Sequence, residues 1–172
     1  MALQGKFLVS NRTFSPLTIY GVGAFLAFSG NDIYRNRGGC TAIKNNGPIP
    51  AGHYWVVDRP PGGVRSRLQT WARDAVISML GTPTDHGEWF ALYRDDNMID
   101  DHTWVNGVER GNFRLHPIGH YGVSLGCITL QNRSDFQTIR RALLHTTTVP
   151  VRDTGLRAYA TIEVVVNGNT CP

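Results

Sequence analysis

The sequence predicts one β-rich α+β domain over residues 1–172, with a β-sandwich or mixed-sheet core, two helices and the active groups in loops. Three observations lead to that class. Nineteen glycines and nine prolines in 172 residues, with 41% apolar and 17% charged side chains, describe a globular chain crowded with turns. Short apolar segments bounded by Gly, Pro or Asn recur along it. No internal repeat, low-complexity stretch or long linker divides it. A chain of this length buries roughly two-thirds of its unfolded surface, enough to fold without a metal or a disulfide.

The strand-like segments are 17–20, 24–28, 53–57, 89–93 and 158–166. The last is the clearest, because Ala158, Ala160, Ile162, Val164 and Val166 share one face while Tyr159, Thr161 and Glu163 take the other. A first helix is expected over about 64–80, where Val64, Leu68, Trp71, Ala75 and Met79 recur at helical spacing before Gly81. In a second, Ser134 reads as the N-cap and Asp135 favours the positive end of the dipole. Phe136, Ile139, Leu143 and Leu144 form its apolar stripe, and His145 stands in the last turn.

Seventeen Lys and Arg against thirteen Asp and Glu leave a net charge of +4. The basic residues are scattered, with no Lys/Arg run and no helix-turn-helix signal, so nucleic acid is not the expected partner, whereas an anionic cell wall suits the charge. The most apolar stretch, 17–28, is interrupted by Gly21 and Gly23 and falls short of the ~20 residues a membrane helix needs. The N-terminal residues show no basic segment followed by an apolar run and a cleavage site. A soluble protein made in the cytoplasm, with no integral membrane segment, is expected.

Three cysteines, Cys40, Cys127 and Cys171, cannot all pair within one chain, and no CxxC spacing suggests zinc or redox work. At least one thiol is free. Cys40 with Cys171 forms either a disulfide in an oxidising compartment or two ordinary thiols.

The most unusual stretch is Arg114–Arg133, RLHPIGHYGVSLGCITLQNR, which sets His116 eleven residues before Cys127. A thiol attacks an acyl carbon as thiolate. An adjacent imidazole can take its proton and later return it to a leaving amine. Gly126 permits close approach of backbone and substrate, main-chain N–H groups at Gly126 and Cys127 offer an oxyanion site, and Ser124 can orient a neighbouring carbonyl. Taken singly, Cys127 before Ile128 reads as a small buried hydrophobe and His116 before Pro117 as a loop histidine. Their combination points to nucleophilic catalysis.

That combination resembles the YkuD-like L,D-transpeptidases, with a histidine upstream of a Ser/Thr-x-Gly-Cys-(Ile/Val) signature, here His116, Ser124, Gly126, Cys127 and Ile128. Upstream, Gly47–Tyr54, GPIPAGHY, looks like the family's proline-glycine segment leading into a strand; by itself it is turn punctuation. The lead-in Asn45–Asn46 and the sparse signature look most like type VI secretion effectors of that class. The resemblance spans roughly 43–133; the first 40 residues and the 64–80 helix carry little of it. Leu125 stands where the family often has histidine, and Thr129 where it has arginine.

The resemblance implies a YkuD-like core, no cofactor and no metal. It implies attack by Cys127 on the bond between the L-centre and the D-residue of a peptidoglycan tetrapeptide stem. Water or an amine then resolves the thioester, giving L,D-carboxypeptidase or L,D-transpeptidase exchange. Arg114 and Arg133 are the candidates to bind a stem carboxylate, and Tyr121 and His120 to line the cleft. A secreted antibacterial toxin acting in the periplasm of target bacteria would also meet secretion machinery and a cognate immunity protein.

Two other readings compete. A metal-dependent hydrolase would draw on Asp85, His86, Asp100, Asp101, His102, His116 and His120, but no HExxH is present, and Pro117 and Gly119 argue against a helix aligning His116 with His120. Asp95, Asp96, Asp100 and Asp101 read instead as a solvated acidic loop, a contact for a neutralising partner. A catalytically weak wall-binding module is the other. Papain-like and NlpC-like peptidases place cysteine before histidine; here histidine comes first.

Overall fold

A computed structural model describes residues 1–59, 88–119 and 122–172. The helix expected over 64–80, Asp85, His86, His120 and Tyr121 lie outside them.

Eleven strands are described: β1 (Leu3–Val9), β2 (Ser15–Ile19), β3 (Gly23–Phe28), β4 (Gly52–Asp58), β5 (Phe90–Arg94), β6 (His102–Val105), β7 (Val108–Gly111), β8 (Arg114–Pro117), β9 (Ile128–Leu130), β10 (Val149–Pro150) and β11 (Arg157–Val166). One α-helix, α1 (Arg133–His145), stands among the described residues where two were expected. The sheet order β1-β2-β3-β9-β8-β5-β4-β11 closes on itself, because β1 also pairs in parallel with β11 from Leu3↔Ala160 to Val9↔Val166. The core is therefore a closed eight-stranded barrel rather than a sandwich. Pairing the two would-be edge strands removes the unpaired N–H and C=O rows that an open sheet would present.

Alternation fills the barrel. Phe7, Val9, Leu17, Ile19, Val56, Leu92, Leu115, Ile128, Leu130, Ile162 and Val164 form one buried cluster, which Phe136, Ile139 and Leu143 of α1 join. In β11 the expected face holds for Ala160, Ile162 and Val164; a register shift beside Ala158 diverts it to a second cluster with Val57, Ala91, Tyr93 and Val151. In β1, Gly5 has no room for a side chain: a Cβ there would stand 2.7 Å from the Thr18 carbonyl oxygen.

Helix α1 begins one residue before the expected cap. Its N-cap is Asn132, whose side chain bonds Asp135 (3.2 Å) rather than a backbone N–H, and Ser134 lies inside the first turn. Leu144 is exposed, outside the buried stripe. Among the described residues no helix is long and apolar enough to cross a membrane.

Candidate active site

Strands β8 and β9 lie side by side in parallel, with Leu115↔Ile128, His116↔Thr129 and Pro117↔Leu130 in register. Leu115 and Ile128 face the barrel core, so the period of two turns His116 and Thr129 to the opposite face. Cys127 immediately precedes β9, level with Arg114. By strand geometry its Cα is ~7 Å along and ~5 Å across from that of His116.

His116 is 1% exposed, and the Trp89 indole stacks on its ring, centroids 4.4 Å apart and 21° between planes. Its Nδ1 is 2.8 Å from the Pro117 carbonyl oxygen, which can only accept, so Nδ1 carries the proton. Its Nε2 lies within hydrogen-bond distance of the Thr129 hydroxyl, at 3.3 Å. Thr129, the departure at the family's arginine position, is thus the imidazole's neighbour, fully buried beside it.

Cys127 is the free cysteine, because Cys40 and Cys171 form a disulfide; it is 7% exposed. Its thiol donates to the Asn112 carbonyl at 3.8 Å. Asn112 links β7 to β8 with φ of 57°, a left-handed conformation that asparagine tolerates. Burial pushes the Cys127 thiol up to about 11, against the pull of Arg114 and Arg110. The resting group is a protonated thiol. Its hydrogen bond goes to Asn112, while those of the imidazole to described residues go to Pro117 and Thr129.

Ser124 is fully buried, and its hydroxyl donates to the Cys127 carbonyl at 2.9 Å. Gly126 adopts φ of 92°, and an added Cβ would stand 2.7 Å from Arg110 Nη2, 3.1 Å from Phe113 and 3.3 Å from the Gly47 oxygen. What approaches this glycine is the Arg110 guanidinium. That side chain is 3% exposed and donates to the carbonyls of Gly47 (2.8 Å), Pro48 (3.3 Å) and Thr41. Burial lowers its pKa to about 10, so it stays charged at neutral pH. The GPIP segment is a wall of the site: Arg110 holds Gly47 and Pro48, Ile49 N donates to Ser29 Oγ (2.8 Å), and the Tyr54 hydroxyl reaches Pro50 O (2.8 Å).

Arg114 lies level with the thiol, but both arms of its guanidinium are held by Asp101 at 2.7 and 2.6 Å, the pair about 15% exposed. Asp101 therefore belongs to the site, not to a solvated loop. Its neighbours are also engaged, Asp96 by Thr103 and Met98, Asp95 by Arg152, and Asp100 by the His102 N–H. Arg133 sits at the start of α1, half exposed, and pairs with Glu88 at 2.8 Å. No three His, Cys, Asp or Glu gather as a metal site among the described residues.

Residues 23–154 match the Tlde1 domain family. The chain belongs to that family. The matched span covers the GPIP wall, β4 to β9 and α1, including His116, Ser124, Gly126 and Cys127. No curated protein matches the chain.

Sequence reasoning missed Trp89, Arg110 and Asn112 as parts of this site, and it named Asp101 and Thr129 only in other roles, as an acidic-loop or metal-ligand candidate and as a departure from the signature. The signal for Thr129 as a neighbour of the site was its two-residue offset from Cys127, which puts both on one side of the chain. The long-range partners of Arg110 and Asp101 left no local pattern.

Proposed function

We propose that this Tlde1 domain is an antibacterial effector that cleaves peptidoglycan tetrapeptide stems through Cys127. The observation that carries the reading is the free thiol, set beside two guanidinium groups and just before the strand that pairs with the one holding His116, whose Nδ1 faces the Pro117 carbonyl and whose Nε2 faces the Thr129 hydroxyl. His116 Nε2 takes the thiol proton, exchanging its Thr129 hydrogen bond for it. The sulfur then attacks the carbonyl of the bond between the L-centre and the D-residue, and main-chain N–H groups at Gly126 and Cys127 receive the oxyanion. The C–N bond breaks, the imidazolium returns the proton to the leaving D-amino acid, and a thioester remains. Water resolves it to the tripeptide acid, or an amine to an exchanged or cross-linked product.

Because the resting thiol is protonated, deprotonation accompanies substrate binding rather than preceding it. The type VI route, delivery to the periplasm and an immunity partner belong to the same proposal. The Cys40–Cys171 disulfide suits an oxidising destination.

The buried thiol favours one second reading, a wall-binding domain with little turnover. Incubating purified muropeptides with the wild type and with Cys127→Ala, followed by mass spectrometry, separates the two. Loss of 71 mass units from tetrapeptide stems with the wild type only, about one alanine residue, supports the enzyme; no mass change with either protein refutes it. Targeting the protein to the periplasm should damage dividing cells, and Cys127→Ala should abolish that damage.

A further inference from the structure

Three arginines of the site are engaged, Arg114 by Asp101, Arg133 by Glu88 and Arg110 by three carbonyls, and a fourth, Arg59, lies over the Trp89 ring, 5.9 Å from its centroid. On the outer side of the β1–β3 end, a concave cavity of about 370 Å³ is lined by Asn11, Arg12, Thr13, Asp32, Arg35 and Arg37, three guanidinium groups against one carboxylate.

Arg12 and Arg37 show no side-chain hydrogen bond or ion pair among the described residues. Arg35 is fixed, its guanidinium 4.0 Å from the Phe28 ring centroid and its Nη2 donating to the Gly122 carbonyl at 3.3 Å. That bond joins the cavity to the loop that leads into Ser124 and Cys127. Buried Asn36 holds the wall: its amide donates to the carbonyls of Arg12 (2.8 Å) and Thr13 (3.3 Å), and its oxygen accepts from Ser29 N (2.9 Å). Asn11, Asp32 and Asn36 take left-handed backbone conformations, φ of 61°, 49° and 53°, which Asn and Asp tolerate. Three guanidinium groups around one carboxylate leave the hollow with a net positive charge, which attracts an anion.

We propose that this cavity is an anion subsite that binds a carboxylate of the cell-wall peptide, with Arg12 and Arg37 as its ligands and Arg35 coupling it to the loop before Cys127. The identity of the peptide rests on the function proposed above; the guanidinium cavity does not. Residues 11–13 lie before the matched family span, so the subsite would be a local addition that supplies the anchoring charge absent at Thr129.

The test is equilibrium binding of a disaccharide tetrapeptide to the full-length Cys127→Ala protein, compared with the same protein carrying Arg12→Gln and Arg37→Gln. Two charge-assisted bonds are at stake, so at least a tenfold loss of affinity is expected, with an unchanged melting temperature as the control for folding. Amidating the peptide carboxylates should weaken binding to the parent by a similar factor and leave the double variant unaffected. Equal affinity of parent and double variant, no binding to the parent, or an equal amidation penalty in both overturns the subsite. Displacement by millimolar inorganic phosphate together with indifference to amidation also overturns it, in favour of a phosphate ligand. Turnover measured in parallel on proteins retaining Cys127 keeps the two proposals apart. Cleavage with unaltered affinity in the arginine variant refutes the subsite alone, whereas arginine-dependent binding without cleavage by the wild type refutes the chemistry alone.

Discussion

Replacing Gly126 with alanine tests whether Arg110 and the cysteine loop are built as one unit. At φ of 92° the backbone is in a region where an L-residue costs about 1–2 kcal/mol, and the new Cβ falls 2.7 Å from Arg110 Nη2. Relief means moving the guanidinium off the Gly47 carbonyl, 2.8 Å away, and a hydrogen bond to a charged group contributes about 1.5–3 kcal/mol. The sum is about 3–5 kcal/mol, within reach of the ~5–15 kcal/mol of a typical domain, so the variant should fold and be measurable. Urea unfolding gives the number, provided the slope with denaturant stays constant. In an Arg110→Ala background the closest contact is gone and only the tight approaches to Phe113 and the Gly47 oxygen remain, so the same alanine should cost about 1–2 kcal/mol, leaving a coupling of about 2 kcal/mol. A cost below about 1 kcal/mol, or equal costs in both backgrounds, would refute the account of the loop.

Cys127 in the native protein should alkylate about 300-fold more slowly at pH 7 than an ordinary thiol, rising tenfold per pH unit toward 11; a plateau near pH 8.5 would contradict the burial argument. Its raised pKa also contributes stability that is complete below pH ~8, where folded and unfolded thiols are both protonated, and that is lost as pH rises to about 11, about 3 kcal/mol in all, read from pH-dependent unfolding. Asp101→Asn strands the buried Arg114 charge and should destabilise by about 3–5 kcal/mol, whereas Asp101→Leu with Arg114→Met should cost far less; equal losses would mean the pair is not coupled. Removing the disulfide as Cys40→Ser with Cys171→Ser frees a loop of sequence separation 131 and should cost about 5 kcal/mol on the chain-entropy model, measured by thermal unfolding. The same variant should alkylate Cys127 faster than the parent, because loosening 38–41 lets water toward Arg110 and the thiol.

Five strands were legible because each is a short apolar run between turn-formers, and in β11 the alternation also gave the barrel-facing side at Ala160, Ile162 and Val164. Strand β1 was not, since Gly5 interrupts the apolar face that Phe7 and Val9 continue; the glycine is there because the Thr18 carbonyl leaves no room for a Cβ. Strands β8 and β9 are four and three residues long, too short for a period to register, and Pro117 disguises one of them as a loop. Barrel closure was hidden for a different reason: β1 and β11 pair across nearly the whole chain, and such contacts leave no local pattern. The helix boundary moved from Ser134 to Asn132 because both are good caps and only packing of Phe136, Ile139 and Leu143 sets the phase. In the site, His116, Ser124, Gly126 and Cys127 were legible as a motif, but the reason for the glycine was not: the group it admits, Arg110, comes from a hairpin strand that no pattern marked.

The departures from the signature take on a physical meaning once the side chains are placed. An arginine at position 129 would bring a third guanidinium to a face that already holds Arg110 and Arg114, and it would displace the hydroxyl that bonds His116 Nε2. With threonine there, the imidazole keeps a neutral partner, and positive charge reaches the thiol from the flanks, through guanidinium groups pinned by carbonyls and by Asp101. Pinning matters because a free arginine beside a thiolate would form an ion pair and blunt the nucleophile, whereas a fixed one contributes field without contact. The Cys40–Cys171 bond extends the same rigid frame: it ties the C-terminal tail to the turn whose Thr41 carbonyl holds Arg110, and Arg110 in turn packs on Gly126 beside Cys127. A covalent bond remote in sequence thereby reaches the candidate nucleophile through a continuous series of contacts, each of which a single substitution can interrupt.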